Sequence, residues 1–147
     1  MSDRLALDLM KLLASSVMLY IKTSNFHWNV EGKMFKQFHD MFGEQYEEIQ
    51  SNIDLIAEKL RMIGYYSPGS LSKYIELSVI QDCNTEKTDC CDMVKILLND
   101  HDLIINHLNQ TFSSAEEVGD QAIMDFISAR LDSHKKHRWM LFASSKE

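Results

Sequence analysis

Residues 34–63 read MFKQFHDMFGEQYEEIQSNIDLIAEKLRMI, and their apolar side chains recur at steps of three and four positions. The apolar positions are Phe35, Phe38, Met41, Phe42, Tyr46, Ile49, Ile53, Ile56, Leu60 and Ile63. This period is typical of one face of an amphipathic helix, here roughly eight turns long. Gly64 follows, where many helices end. We therefore predict one long helix over residues 34–63.

The rest of the chain is predicted to add three long helices and one short one. The long segments run over about residues 3–28, 85–111 and 113–144, and a short helix at 70–77 follows the break at Ser67-Pro68-Gly69. Candidate capping residues are Thr85 with Thr88-Asp89 for the third long helix, and Ser113 with Glu116 for the fourth. One long connection between the second and third long helices predicts an all-α four-helix bundle of ferritin-like connectivity, forming a single domain over residues 1–147.

Composition restricts the classes of function. The 147 residues are 45% apolar and include one proline and five glycines, which suits one domain of long helices. The formal net charge of -7 repels nucleic-acid backbone and attracts cations. The sequence has no apolar run of about 18 residues and no signal-peptide pattern, so we expect a cytoplasmic protein without a membrane span. Cys83, Cys90 and Cys91 form no C-x-x-C pair and suit a reducing compartment better than a disulfide framework or a zinc motif.

The usual metal motif of a ferritin-like bundle is absent. Such bundles place Glu-x-x-His on two helices, and this sequence contains no such spacing. Potential ligands lie instead in and just before the second helix. His27 and His39 are twelve residues apart, and Asp54 and Glu58 share one helix face. Taken singly, each histidine also fits a structural role beside apolar residues, and the carboxylates also fit a solvated surface.

Together these residues resemble the Dps proteins, the miniature ferritins of bacteria. The pattern here is His27-Trp28, Gly32, His39 and Asp54-x-x-Ala57-Glu58-Lys59, and the resemblance extends through Ser67-Pro68-Gly69 and Arg130-Leu131-x-x-His134 over nearly the whole chain. The resemblance implies a twelve-subunit shell. It also implies that the shell oxidises ferrous iron, preferably with hydrogen peroxide, and stores the ferric mineral inside.

The resemblance also implies that the metal site is shared between subunits. His39 and Asp54 are fifteen residues apart on one helix, a rise of about 22 Å. If they belong to one site, an antiparallel partner related by a two-fold axis must supply one of them. The implied first iron position uses His27 with the partner's Asp54 and Glu58. The implied second position uses His39, residue 43 and a bridging Glu58.

The sequence departs from the Dps pattern at Gly43, where a carboxylate usually stands. Glycine supplies no ligand and costs a helix interior about 1 kcal/mol relative to alanine. Glu44 points about 100° away around the helix, whereas Glu47 lies on the correct face one turn further along. We therefore predict a di-iron site with a competent first position and a weakened second one.

Further roles follow from the resemblance. Trp28, beside His27, is a candidate radical trap, with packing as the alternative role. Acidic pores are expected near the start of the fourth helix, with candidate residues Glu116, Asp120 and Asp125 and with Glu117 nearby. His134 and His137 are one turn apart, but basic neighbours make a metal site there unfavourable.

Two alternative functions remain open from the sequence. A DNA-condensing role would use lysine-rich tails, but few basic residues stand near either end of the chain, namely Arg4, Lys11, Lys135, Lys136, Arg138 and Lys146. DNA binding is therefore not expected. An inert cage with an impaired metal site is supported by Gly43 alone.

Overall fold

The computed structural model describes residues 3–84, 86 and 89–146, and it confirms the all-α bundle. The helices are α1 (Asp3–Asn29), α2 (Phe35–Ser51), α3 (Ile53–Met62), α4 (Leu71–Leu77), α5 (Cys90–Val118) and α6 (Gln121–Ser144). α1 packs against α2, α3, α4 and α5, and α5 packs against α6. None of the helices in these ranges is long and apolar enough to cross a membrane.

The predicted single helix over residues 34–63 is interrupted at Asn52. The Asn52 side-chain amide donates to the carbonyl oxygen of Glu48 at 3.0 Å, which is the oxygen that a regular helix would offer to the Asn52 backbone. The backbone N–H of Asn52 turns instead to the carbonyl oxygen of Ile49 at 3.2 Å. The two halves, α2 and α3, therefore meet at a joint, with His39 on one side and Asp54 on the other.

The boundary between the last two long helices also differs from the prediction. α5 continues through Ser113, whose hydroxyl donates to the carbonyl oxygen of Asn109 one turn earlier, so the predicted capping box is wrong. The helix ends at Gly119, which has a φ of 71° that favours glycine. Asp120 then caps α6 by accepting from the backbone N–H of Ile123 at 3.0 Å.

α5 begins later than predicted. Asp89 is its N-cap, since its carboxylate accepts from the backbone N–H of Cys91 at 2.7 Å. Thr85 and Thr88, the other predicted caps, lie outside the described residues. The predicted short helix is present as α4, where the Ser70 hydroxyl accepts from the backbone N–H of Lys73.

The core lies between α1, the α2–α3 pair, α5 and α6. Its largest fully buried side chains are Phe26, Phe42, Leu5, Leu9, Leu12, Leu13, Leu19, Ile49, Ile56, Leu60, Ile80 and Met93. Five of the ten predicted apolar positions of residues 34–63 are only partly buried or exposed, the exposed one being Phe35 at 40%. The α2–α3 pair therefore buries a narrower stripe than its sequence pattern suggests.

Candidate metal centre

His27 and His39 hold each other in a reciprocal hydrogen-bonded pair. Nδ1 of His27 donates to the carbonyl oxygen of His39 at 2.6 Å, and Nδ1 of His39 donates to the carbonyl oxygen of His27 at 2.7 Å. The two rings stack with centroids 3.8 Å apart and an interplanar angle of 16°. The turn at Gly32, where φ is 120°, brings the last turn of α1 beside the first turns of α2.

This pairing fixes the tautomer of both imidazoles. A carbonyl oxygen can only accept, so in each neutral ring the hydrogen is on Nδ1 and the lone pair is on Nε2. Metal-binding histidines are commonly oriented by this kind of second hydrogen bond. His27 and His39 are both half-buried and are thus prepared to offer Nε2 to a cation.

Gly43 provides the space that the His27 ring occupies. A Cβ atom at position 43 would lie 2.9 Å from Cε1 and 3.0 Å from Nδ1 of His27, closer than such atoms approach. The ring of Tyr46 lies 5.3 Å from that of His27, and the ring of Phe35 lies 5.0 Å from that of His39. The absence of a side chain at position 43 therefore makes room for the His27 ring.

Asp54 and Glu58 form an exposed acidic pair one turn apart on α3. A hydrogen bond with Asp54, followed by the Asp54 charge, raises the pKa of Glu58. Carboxyl groups that share a proton in this way are also suited to share a cation. Because the pair is exposed, a neighbouring molecule has access to it.

The four predicted ligands do not converge within one subunit. In the described part of the chain, the one group of three or more potential metal ligands within reach of each other is Asp89, Cys90 and Cys91. Within one chain, the histidine pair and the acidic pair are therefore two separate groups. This separation agrees with the distance expected along the helix.

A second polar cluster, which sequence analysis missed, lies inside the bundle. Arg130 donates to both carboxylate oxygens of Glu48, at 2.5 and 3.2 Å, and Nε2 of His137 donates to Glu48 at 2.9 Å. Arg130 also donates to Nε2 of His134 at 3.2 Å, and Nδ1 of His134 lies 3.2 Å from Nδ1 of His101. Arg130, His134 and His101 are fully or almost fully buried. We call Glu48, His101, Arg130, His134 and His137 the core histidine cluster.

The hydrogen bonds fix the protons of this cluster. A guanidinium only donates, so Nε2 of His134 accepts and its Nδ1 carries the hydrogen that is given to His101. The hydrogen of His101 is then on Nε2, a buried atom without a hydrogen-bond partner. Arg130 brings a permanent positive charge into the interior, where ordinary ferritin-like bundles hold their metals. The cluster is consequently unsuited to a cation, in agreement with the missing Glu-x-x-His motif.

Burial controls the electrostatics of the same cluster. Burial alone would raise the pKa of Glu48, but hydrogen bonds from His137 and Arg130 and their charges lower it to about 2. Burial lowers the pKa of His101 to about 3, with further lowering by the positive charges of its neighbours. Burial also holds the pKa of His134 well below its usual value. The two buried imidazoles are therefore neutral at physiological pH.

The remaining predicted residues lie on the surface. Trp28 is 69% exposed beside the histidine pair, so it is not packed within the subunit. Glu116 and Asp125 are exposed, and Asp120 is partly buried as the cap of α6. Their location around the α5–α6 junction is compatible with a pore, which stays a prediction.

The chain matches known proteins over almost its full length. Residues 7–144 match the family model described as a ferritin-like domain. The chain is 34% identical over 131 residues to the DNA protection during starvation protein of Brevibacillus brevis, covering 89% of this chain and 87% of that one.

Solved structures agree with this match. The structure is similar to that of a Dps protein from Bacillus brevis, with a TM-score of 0.92, 32% identity and coverage of 97% of this chain and 95% of that one. It is also similar to the Dps protein of Vibrio cholerae O1, described as a ferritin-like diiron-carboxylate protein, with a TM-score of 0.92 and 29% identity over 97% of this chain and 89% of that one.

Proposed function

Since the chain belongs to the ferritin-like domain family and, within it, to the Dps proteins, we propose that it is a ferroxidase that oxidises Fe²⁺ and stores the ferric product. The observation that carries the proposal is the reciprocal pair of His27 and His39, whose Nε2 atoms are left free to bind a cation. The exposed acidic pair of Asp54 and Glu58 supplies the hard oxygen ligands that iron prefers.

In the proposed assembly, a two-fold axis brings the acidic pair of one subunit to the histidine pair of the other. The two half-sites are about 22 Å apart along one chain by helix rise, so one subunit alone forms no site. An antiparallel dimer contains two equivalent sites, because each subunit gives both halves. The exposed Trp28 and Met62, near the two half-sites, suit burial against the partner.

The two iron positions differ in their ligands. The first is furnished by His27 with the partner's Asp54 and Glu58. The second has His39 and a share of Glu58, and Gly43 leaves it one carboxylate short of the family pattern. We therefore propose unequal affinities, and a titration that found two equally tight Fe²⁺ ions per site would contradict this part of the proposal.

The reaction oxidises two Fe²⁺ ions with one hydrogen peroxide molecule. Each Fe²⁺ gives one electron, the O–O bond breaks, and two protons complete two water molecules. Delivery of both electrons at one site avoids the release of hydroxyl radical. Hydrogen peroxide as the preferred oxidant is carried over from the Dps resemblance, and so is the proposed role of Trp28, which would intercept a stray oxidising equivalent next to His27.

We propose that the dimers assemble into a twelve-subunit shell in which the ferric mineral accumulates. Acidic side chains around the α5–α6 junction, namely Glu116, Asp120 and Asp125, would line the entry pores for Fe²⁺. The shell would protect the cell by removing iron and peroxide together.

The experiment that tests the shared site is complementation between two inactive variants. One variant carries His27→Ala and His39→Ala, and the other carries Asp54→Ala and Glu58→Ala. Each alone lacks one half of every site and should be inactive. Co-assembled in equal amounts, they should recover about a quarter of the wild-type sites, because half of the dimers are mixed and each mixed dimer has one intact site of two.

Three results would contradict the proposal. If shells that contain both variants show no ferroxidase activity, the site is not shared between subunits. Full ferroxidase activity in either variant alone would place the chemistry elsewhere. The wild type failing to oxidise Fe²⁺ with peroxide would favour the inert cage.

DNA binding is the second function suggested by relatives, since one is named a DNA protection protein. Here Arg138 is paired with Asp102 at 2.5 Å, and Arg4 is paired with Glu117 at 3.7 Å, which weakens the positive charge near both ends. With few cations to contact phosphates, we expect no DNA shift in a gel at moderate salt.

A further inference from the structure

Two free thiols and a carboxylate come together where α5 begins. Cys90 and Cys91 are the first two residues of that helix, and Asp89 is its N-cap. The two sulfur atoms and a carboxylate oxygen lie within 4.8 Å of each other. Cys91 and Asp89 are exposed and Cys90 is half-buried, so solvent reaches the group. We call Asp89, Cys90 and Cys91 the thiol site.

Local structure holds these three side chains together. Adjacent residues of a regular helix point about 100° apart, so two neighbouring cysteines do not meet by default. Here the carboxylate of Asp89 is fixed by accepting the backbone N–H of Cys91 at 2.7 Å. The two sulfur atoms nevertheless lie within 4.8 Å of each other.

The backbone at Asp89 is also anchored to the rest of the bundle. Asp89 forms an isolated bridge with Glu31, in the turn that follows α1. This anchor supports one side of the group, and α5 supports the other. The thiol site is therefore built on two fixed elements.

The donors that the thiol site offers are two sulfur atoms and one carboxylate oxygen. A bound cation would replace the thiol protons and remove the repulsion between thiolates and carboxylate.

We propose that Asp89, Cys90 and Cys91 bind a thiophilic d¹⁰ cation of the Zn²⁺ class. Thiolate sulfur with one carboxylate oxygen is a donor set that zinc accepts and that ferrous iron competes for poorly. Three protein ligands leave the fourth position to water. The site is separate from the proposed ferroxidase centre, which uses imidazole and carboxylate ligands from α1, α2 and α3.

The direct test is a titration of the reduced, assembled protein with Cd²⁺, which gives ultraviolet charge-transfer absorbance when thiolates bind it. The wild type should bind one Cd²⁺ per subunit with this signal, and Zn²⁺ should displace it. Cys90→Ser/Cys91→Ser should lose the signal, whereas Cys83→Ser is the matched control and should keep it. Persistence of the signal in the double variant, or its loss in Cys83→Ser, would overturn the proposal.

Asp89→Asn tests the carboxylate without removing the helix cap, because asparagine caps as well as aspartate. Its Cd²⁺ affinity should fall by more than about tenfold. Mutation of residues that only hydrogen-bond to metal ligands already lowers metal affinity by about 10- to 100-fold. An unchanged affinity would contradict a carboxylate ligand. The same measurements on His27→Ala/His39→Ala should match the wild type, so that a failure here is distinguishable from a failure of the ferroxidase proposal.

Discussion

Gly43 and His27 are in such close contact that a Cβ atom at position 43 would lie 2.9 Å from Cε1 of His27. The histidine ring therefore occupies the space in which other residues carry their side chain. On sequence alone, the glycine was interpreted as the loss of a carboxylate ligand that the Dps pattern usually has at this position. In the structure it is also the condition for the stacked histidine pair.

Gly43→Ala should separate these two effects. Alanine favours a helix interior by about 1 kcal/mol, so the variant gains local stability. Its Cβ must displace the His27 ring and break the hydrogen bond to the carbonyl oxygen of His39, so Fe²⁺ affinity should fall by more than about tenfold. Isothermal titration of anaerobic protein with Fe²⁺ measures this. Glu44→Ala, at an exposed neighbouring position, is the control, and equal affinities for both variants would contradict the prediction.

Glu48→Gln should destabilise the fold by about 3–5 kcal/mol, because it leaves the buried guanidinium of Arg130 without its counter-charge. Denaturant unfolding at pH 7 provides the measurement. Glu47→Gln removes a charge from an exposed position of the same turn and should change stability by less than about 0.5 kcal/mol. If the two variants unfold alike, Glu48 does not hold the core histidine cluster together.

Stability should fall as the pH is lowered from 6.5 towards 4.5. The pKa of His101 is about 3 in the folded protein and 6.5 ordinarily, so the unfolded chain binds the extra proton throughout this range. His134 acts in the same direction. Glu48 adds to the loss only below 4.5, its ordinary pKa, because its folded pKa of about 2 keeps it ionised. The measurement is the free energy of unfolding as a function of pH.

His101→Asn supplies the control for this pH dependence. Asparagine keeps an acceptor for the N–H of His134 but cannot take up a proton in either state. The free energy of unfolding should then depend less steeply on pH between 6.5 and 4.5. The difference should correspond to the uptake of up to one proton fewer on unfolding. A slope identical to that of the wild type would show that other groups cause the loss.

Trp28→Phe should leave the rate of Fe²⁺ oxidation by peroxide nearly unchanged but increase the hydroxyl-radical adducts detected by a spin trap. The reason is that Trp28 stands beside His27 without providing a ligand. Trp139→Phe is the matched control, since Trp139 is also exposed, at 63% compared with 69% for Trp28, but belongs to α6. Equal adduct yields in the two variants would remove the proposed trapping role.

The fold was predictable because the apolar residues that form the core recur every three to four positions along each helical segment. The four long segments and the short connecting segment are helical, although the segment over residues 34–63 is split into α2 and α3. The boundaries failed where a side chain competes with the backbone. At Asn52 the side-chain amide takes a helical carbonyl oxygen and splits the predicted helix, whereas at Ser113 the hydroxyl bonds within a helix that it was predicted to start.

The metal ligands and the core histidine cluster differ in how far a sequence reveals them. His27, His39, Asp54 and Glu58 were found through a short recognisable spacing, and their roles remain proposals. The cluster joins Glu48, His101 and Arg130 across three helices, and no local spacing links residues so distant in the chain. The basic neighbours Lys135 and Lys136 argued against a metal site at His134 and His137, but they gave no sign that both histidines are buried beside Arg130 and Glu48.

The joint at Asn52 acquires a further meaning in the proposed dimer. It divides the rod that carries His39 on one side and the pair of Asp54 and Glu58 on the other. In the proposed dimer, the α2–α3 pairs of the two subunits lie antiparallel. A bend at Asn52 would therefore change the distance between the histidine pair of one subunit and the acidic pair of the other. Because the proposed two-fold axis imposes the same change on both distances, the Asn52 side chain would set the spacing of both proposed iron centres at once.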